Sequence, residues 1–216
     1  MATLPQLRAR VAKLLGARDF ASLTALACQD RRVAAVLVQF IFDPTDLQHW
    51  RALEGLGQVA GTHPRQVQKV IHRLLWSLNE DSGSFGWGAA AALGEIGRGH
   101  LPLVQDIVSM FYGYLEEPFS RGPMLWGLGR FGEKYPELVQ EHLPLVQAAL
   151  ADADPQVRAW AAWCVGRVGH GAATAALEPL LADASEVWLY DDGELRRYTV
   201  AQVAKAALDA LTQGQI

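Results

Sequence analysis

Cysteine is scarce in this chain: Cys28 and Cys164 are the two in 216 residues, and neither has a C-x-x-C partner. Lone thiols fit a reducing compartment better than a disulfide framework. Long apolar runs are missing too. Runs such as Val33 to Val38 and Phe40 to Phe42 are far too short to cross a bilayer. No apolar stretch with a small-residue cleavage site opens the chain, so we expect no export signal and a soluble, cytoplasmic protein. The six histidines, at 49, 63, 72, 100, 142 and 170, show no HxxxH or HxxH spacing, which argues against a zinc site built on neighbouring turns. They are expected at helix ends or on the surface. No Ser-His-Asp grouping, GxSxG elbow, phosphate-binding loop or dinucleotide fingerprint is present. The sequence calls for no catalytic residue, no metal and no cofactor.

Positive charge is also short. The formal net charge is −4, whereas strong nucleic-acid binding rests on Lys and Arg displacing phosphate counterions. Residues 1–110 carry 11 Lys/Arg against 9 Asp/Glu, and residues 111–216 carry 8 against 14. The second half is therefore the acidic one, and a nucleic-acid partner is not expected.

What is abundant is apolar residues, at half of all positions, arranged in a repeat. A five-residue phrase recurs as Leu56-Gly57-Gln58-Val59-Ala60, Leu93-Gly94-Glu95-Ile96-Gly97, Leu128-Gly129-Arg130-Phe131-Gly132 and Val165-Gly166-Arg167-Val168-Gly169. The strides of 37, 35 and 37 residues are the period of stacked helical hairpins. Each phrase closes a helix. In the fourth, Asp154-Pro155 opens it, aspartate accepting free amide protons and proline tolerating the first turn. Val157, Ala161, Cys164, Val165 and Val168 form its apolar stripe, with Cys164 read as a buried structural thiol. Small residues precede the phrase at Ala52, Ala89 and Ala161, with Met124 the exception. The glycine after each first residue is expected to serve close packing, and Gly97, Gly132 and Gly169 to end helices in the left-handed region.

Second helices are expected over Pro64 to Leu78, Leu101 to Leu115, Pro136 to Leu150 and Gly171 to Ala182, the third with a stripe of Leu138, Leu145, Val146 and Leu150. Leu4 to Leu15, Phe20 to Cys28 and Arg31 to Phe42 read as three further helices that cap the array. Near the C-terminus, Asp192-Gly193 lies between aromatic and branched residues and predicts a type I′ hairpin over 187–198. That register sets Tyr190 against Leu195 and Trp188 against Arg197, with the arginine over the indole. The expected organisation is one domain, with capping helices at 1–44, repeats at 45–186, the hairpin at 187–198 and a last helix at 199–216.

The stretch Asp154-Pro155-Gln156-Val157-Arg158, then Ala161-Ala162, then Val165-Gly166-Arg167-Val168-Gly169 resembles the HEAT repeat. It looks closest to the short HEAT-like repeats first described in phycobilisome lyases, over roughly residues 45–211. The resemblance implies an all-α, right-handed α-α superhelix of about five hairpins with the β-hairpin inserted. It also implies that Arg158, and by position Arg121, contribute to a ladder of capping contacts between adjacent helices. His49 and Gly86 occupy the same place in the first two repeats. The family's hydroxylase branch carries His-Glu pairs, and here no His is followed by Glu.

The expected function is a non-catalytic scaffold that binds a protein or peptide partner on the surface of the second helices, where Gln66, Lys69, Arg73, Gln105 and Ser109 would orient it. The candidate patch comprises Trp76, Asn79, Glu80, Asp81 and Trp87 of the 76–87 loop, together with Arg121 and Trp126. Most of the seven tryptophans read as core or inter-repeat filler, with one or two available as anchors. Two rivals are compatible with the same residues: a lyase-type or accessory factor holding a tetrapyrrole-like cofactor, and a weak nucleic-acid module in the more basic half.

Overall fold

A computed structural model describes residues 2–79, 86, 88–140, 142–169 and 174–213. They fall into two compact units, Met1–Val108 and Ser109–Ile216.

The first unit opens with α1 (Leu4–Gly16), α2 (Phe20–Gln29) and α3 (Val33–Leu37), close to the three capping helices expected. Local chemistry sets their starts. Thr3 and Gln6 form a reciprocal capping box ahead of α1, and Asp19 accepts the Ser22 N–H at 2.9 Å ahead of α2. The first phrase lies in α4 (Leu47–Thr62), followed by α5 (Pro64–Leu78) with the predicted bounds. The second lies in α6 (Ala89–Gly99). Arg51 of α4 donates to the carbonyls of Leu15 and Gly16 at 3.1 and 2.7 Å, closing the open end of α1. Gly57 lets α4 and α6 meet backbone to backbone: a Cβ there would lie 2.8 Å from the Glu95 carbonyl oxygen.

Beyond α6 the expected helix 101–115 is broken. Two 3-10 turns, Leu101–Leu103 and Gln105–Ile107, precede α7 (Val108–Gly113). Pro102 supplies no amide proton, and Val104, at φ −122°, ends the first turn.

In the second unit, α8 (Pro118–Gly132) carries the third phrase and α11 (Pro155–Val168) the fourth. Between them, the expected helix 136–150 splits into α9 (Pro136–Gln140), α10 (Leu143–Ala148) and a 3-10 turn. Pro144 has no amide proton to donate back to the preceding turn, and it sits in the first turn of the new helix, where that proton is not needed. The break re-aims the stripe: Val139, Leu143, Val146 and Leu150 are buried and Leu145 is exposed. Pro179 has a similar effect later, leaving α12 (Thr174–Leu177) and a 3-10 turn over Glu178–Ala182.

The hairpin forms as read: β1 (Glu186–Asp191) pairs antiparallel with β2 (Glu194–Thr199), Tyr190 opposite Leu195 and Trp188 opposite Arg197. Asp192 and Gly193 both adopt positive φ, 48° and 82°, as a type I′ turn demands. The Arg197 guanidinium lies 5.6 Å from the Trp188 ring centre. α13 (Val200–Gln213) ends the described chain and packs on α11, where a Cβ on Gly166 would sit 2.8 Å from Ala207 Cα.

One expectation about glycine fails. Gly169 is left-handed (φ 74°) and caps α11, but α6 continues through Gly97 to Gly99, and the residue after Gly132 is helical. Gly132 is instead a packing position, since a Cβ would come within 2.6 Å of Val168 Cγ2. His49, expected at a helix end or on the surface, stands in the first turn of α4 but inside the first unit, 1% exposed. It takes the place an arginine holds in later repeats and hydrogen-bonds the Ile41 backbone.

Candidate functional site

The expected patch is divided between the two units. Glu80, Asp81 and Trp87 lie outside the described residues. Trp76 is 63% exposed, on the last turn of α5, while Asn79 donates to the Leu75 carbonyl at 2.8 Å as a helix cap. Gln66 is also engaged, donating to Ala27 O at 2.6 Å.

Arg121 and Trp126 belong to the second unit, and both are committed to the fold. Arg121 donates to the carbonyls of Leu115 and Glu116 at 2.7 and 3.1 Å, and to Asp152 Oδ2 at 2.6 Å. Arg158 repeats the pattern one hairpin later, on the carbonyls of Asp152 and Ala153 and on Asp183. Burial pushes Asp152 and Asp183 upward, but hydrogen bonds and the arginine charges outweigh it and hold both carboxyls below the usual range. Trp126 is fully buried and donates its indole N–H to the Tyr190 carbonyl at 3.2 Å. It anchors β1 to α8 rather than offering a face to a ligand.

What lies around Trp126 is more informative. Its ring stacks on that of Trp163 of α11, at 6.2 Å between centres and 6° between planes. Gly122 and Gly129 provide the notches for α11: a Cβ on Gly122 would fall 2.5 Å from Trp160 Cε3, and one on Gly129 would fall 2.8 Å from Trp163 Cε3. Each stacked tryptophan carries an arginine four residues on, Arg130 5.7 Å from Trp126 and Arg167 5.0 Å from Trp163. These arginines alternate with carboxylates. Glu133 pairs with Arg130 at 3.4 Å and with Arg167 at 3.1 Å, and Arg167 reaches Asp191 of β1 at 2.5 Å. An ion-pair ladder thus runs from α8 over the tryptophan stack to the hairpin.

At the Asp191 end the ladder opens into a groove of about 290 Å³. Trp163, Gly166 and Leu189 line it together with Val203, Ala206, Ala207 and Ala210 of α13. Arg167, Asp191, Tyr198 and Gln202 supply the polar rim. The close approach of α11 and α13 at Gly166 and Ala207 brings the alanines of α13 into one apolar wall beside the charged ladder. The Trp163 indole nitrogen is enclosed and has no acceptor among the described residues.

Sequence reasoning missed this ladder because it set the repeat aside as packing. The pattern was nevertheless present. Trp126-x-Leu128-Gly129-Arg130 and Trp163-x-Val165-Gly166-Arg167 are the same five-residue spacing one 37-residue stride apart. In the first two repeats the corresponding pairs are Glu54 with Gln58 and Ala91 with Glu95, so the tryptophan–arginine unit belongs to the second unit alone.

A family model described as HEAT repeats matches residues 117–189, which contain α8, α11 and most of β1. An uncharacterized protein of Archaeoglobus fulgidus is 30% identical over 111 residues, covering 49% of this chain and 59% of its own length. The chain therefore spans about 59% of the curated relative it matches. Among solved structures, a designed armadillo repeat protein is similar at a TM-score of 0.52 and 18% identity, covering 98% of this chain and 95% of that one. An engineered protein is similar at 0.55 and 16% identity, with 99% and 95% covered. A second designed armadillo repeat protein, in complex with the peptide (KR)4, is similar at 0.51 and 18% identity, with 94% and 98% covered. These likenesses are of fold: a mostly helical repeat of armadillo and HEAT type, with a two-stranded hairpin near its C-terminus. Among the described residues no helix is long and apolar enough to cross a membrane.

Proposed function

We propose that the chain is a protein-interaction scaffold whose second unit takes a basic peptide segment in the groove beside Arg167 and Asp191. The observation that carries this reading is the pairing of an apolar channel with a polar rim in which the Asp191 carboxylate faces Arg167. A lysine or arginine stem fits Val203, Ala206 and Ala210, while its head reaches Asp191 and exchanges with Arg167 for that carboxylate. Residues 109–216 carry 8 Lys/Arg against 14 Asp/Glu, a field that favours a cationic partner. A structural neighbour, a designed armadillo repeat protein, is in complex with the peptide (KR)4, a partner of the same basic character.

An alternating Lys-Arg octapeptide and a Glu-based control, titrated calorimetrically, test the reading. Ala206→Trp fills the groove from an exposed position on α13, so the fold is expected to survive. The basic peptide should bind in a salt-sensitive manner, the acidic control should not, and Ala206→Trp should weaken binding at least about tenfold. Equal binding to wild type and Ala206→Trp, or none to wild type, overturns it.

A further inference from the structure

The hairpin has two edges, and the molecule treats them differently. A two-residue type I′ turn makes Asp191 and Glu194 a hydrogen-bonded pair, so Tyr190–Leu195 and Trp188–Arg197 are non-hydrogen-bonded pairs whose backbone groups point outward. On β1 those groups are covered. The Gln156 side chain donates to the Trp188 carbonyl at 2.7 Å and accepts the Trp188 N–H at 3.0 Å. Trp126 donates to the Tyr190 carbonyl. One side-chain amide thus imitates a paired strand, and an indole finishes the edge. On β2 the outward N–H and C=O groups of Leu195 and Arg197 meet no partner among the described residues.

An open edge of this kind is a template for a further strand, and charge decides which. A second copy is poorly suited. The antiparallel register that uses all four outward groups, Leu195 against Arg197 of the other copy, sets Arg196 directly opposite itself. Like charges at that closest cross-strand position are destabilising. Centring the pair on Leu195 instead sets Arg196 against Glu194, but Arg197 then faces Gly193 of the turn, at φ 82°, which is not strand backbone. Arg196 itself is exposed and makes no ion pair among the described residues, whereas neighbouring Arg197 is paired with Glu186 at 3.4 Å.

We infer that the outer edge of β2 is a strand-addition site for an extended segment of a partner protein, carrying a carboxylate side chain opposite Arg196. The added strand exchanges backbone hydrogen bonds with Leu195 and Arg197, and its central Asp or Glu neutralises Arg196. This site uses backbone groups and one arginine outside the groove, so it stands or falls independently of the groove reading.

The test is amide NMR on the full chain with two capped peptides, acetyl-Thr-Val-Glu-Val-Thr-amide and its Glu→Lys counterpart. The glutamate peptide should shift the amides of Leu195 and Arg197 and slow their exchange, binding about fivefold more tightly than the lysine peptide. Arg196→Glu should invert the preference. Leu195→Pro, which removes one outward N–H at an edge where proline is tolerated, should abolish both responses. The inference is overturned if neither peptide moves those amides or if the preference survives Arg196→Glu. It is equally overturned if the same amides shift with protein concentration alone, which would assign the edge to a second copy.

Discussion

Arg158 holds Asp183 through two donors on one oxygen, Nε at 2.9 Å and Nη2 at 2.7 Å from Oδ2, while its Nη1 closes the Asp152 and Ala153 carbonyls. One guanidinium therefore ties the start of α11 to the segments before and after it. Arg158→Met should cost about 1–3 kcal/mol, because the change leaves carbonyls and a carboxylate short of donors. Urea denaturation checks this, and an unchanged midpoint would mean that solvent replaces the arginine without loss. The folded-state pKa of Asp183 is depressed, so its stabilisation is present above the ordinary carboxylate range and fades as pH falls through the folded value. Arg158→Met should flatten that acid limb.

His49 sets a second pH dependence, of independent origin. Burial pulls it from 6.5 down to about 4, against the opposing pull of the Asp43 charge and the Ile41 hydrogen bond. The unfolded chain takes up a proton near pH 6.5 that the folded chain refuses until about pH 4. Stability is thus unaffected above pH 7 and declines as pH falls through that window, by up to about 3 kcal/mol. His49→Gln should remove most of this decline in denaturation series at pH 7, 6 and 5, and an equal decline in both proteins would show that other groups set it.

Glycine substitutions separate three physical reasons for the same residue. Gly166→Ala drives a methyl into the Ala207 backbone and should cost about 1–3 kcal/mol. Gly169→Ala meets no neighbour but sits at φ 74°, and should cost about 1 kcal/mol. Gly16→Ala, with open space and helical backbone, should be neutral or stabilising by up to about 1 kcal/mol. Thermal melts of the three rank them, and a different order would contradict the packing described at α11 and α13.

The tryptophans should divide in the same way. Trp126→Ala removes a buried ring and the anchor of β1, and should cost about 3–5 kcal/mol. Trp76→Ser should leave stability within about 0.5 kcal/mol, since that ring is 63% exposed. Chemical denaturation monitored by circular dichroism distinguishes the two.

Thiol chemistry gives a further check. Cys28 is exposed, whereas Cys164 is enclosed and its thiol is pushed up to about 12 by burial. A disulfide reagent should titrate one thiol in the native protein and a second only on unfolding. Two rapidly reacting thiols would contradict the burial of α11.

The sequence by itself determined the repeat, its stride, the helices that carry each phrase and the hairpin with its register. These follow from short-range rules: apolar spacing along a helix, aspartate and proline at a start, Asp-Gly at positive φ. The breaks at Pro102, Pro144 and Pro179 were also within its reach, since proline acts locally. Tertiary structure alone decided what the repeated residues do. Arg130 and Arg167 become a ladder because α8 and α11 approach closely enough, at Gly122 and Gly129, to stack Trp126 on Trp163 and share Glu133. Trp126 and Arg121 pass from candidate contacts to internal supports because the Trp126 indole meets the Tyr190 carbonyl and the Arg121 guanidinium meets the Asp152 carboxylate, both distant in the chain. The two edges of one hairpin differ because Gln156, thirty-two residues before Trp188, lies against the outer edge of β1, and nothing among the described residues meets the outward backbone groups of Leu195 and Arg197. Which face a helix buries is written in its own spacing, but which neighbour satisfies a given donor depends on chain brought near from elsewhere.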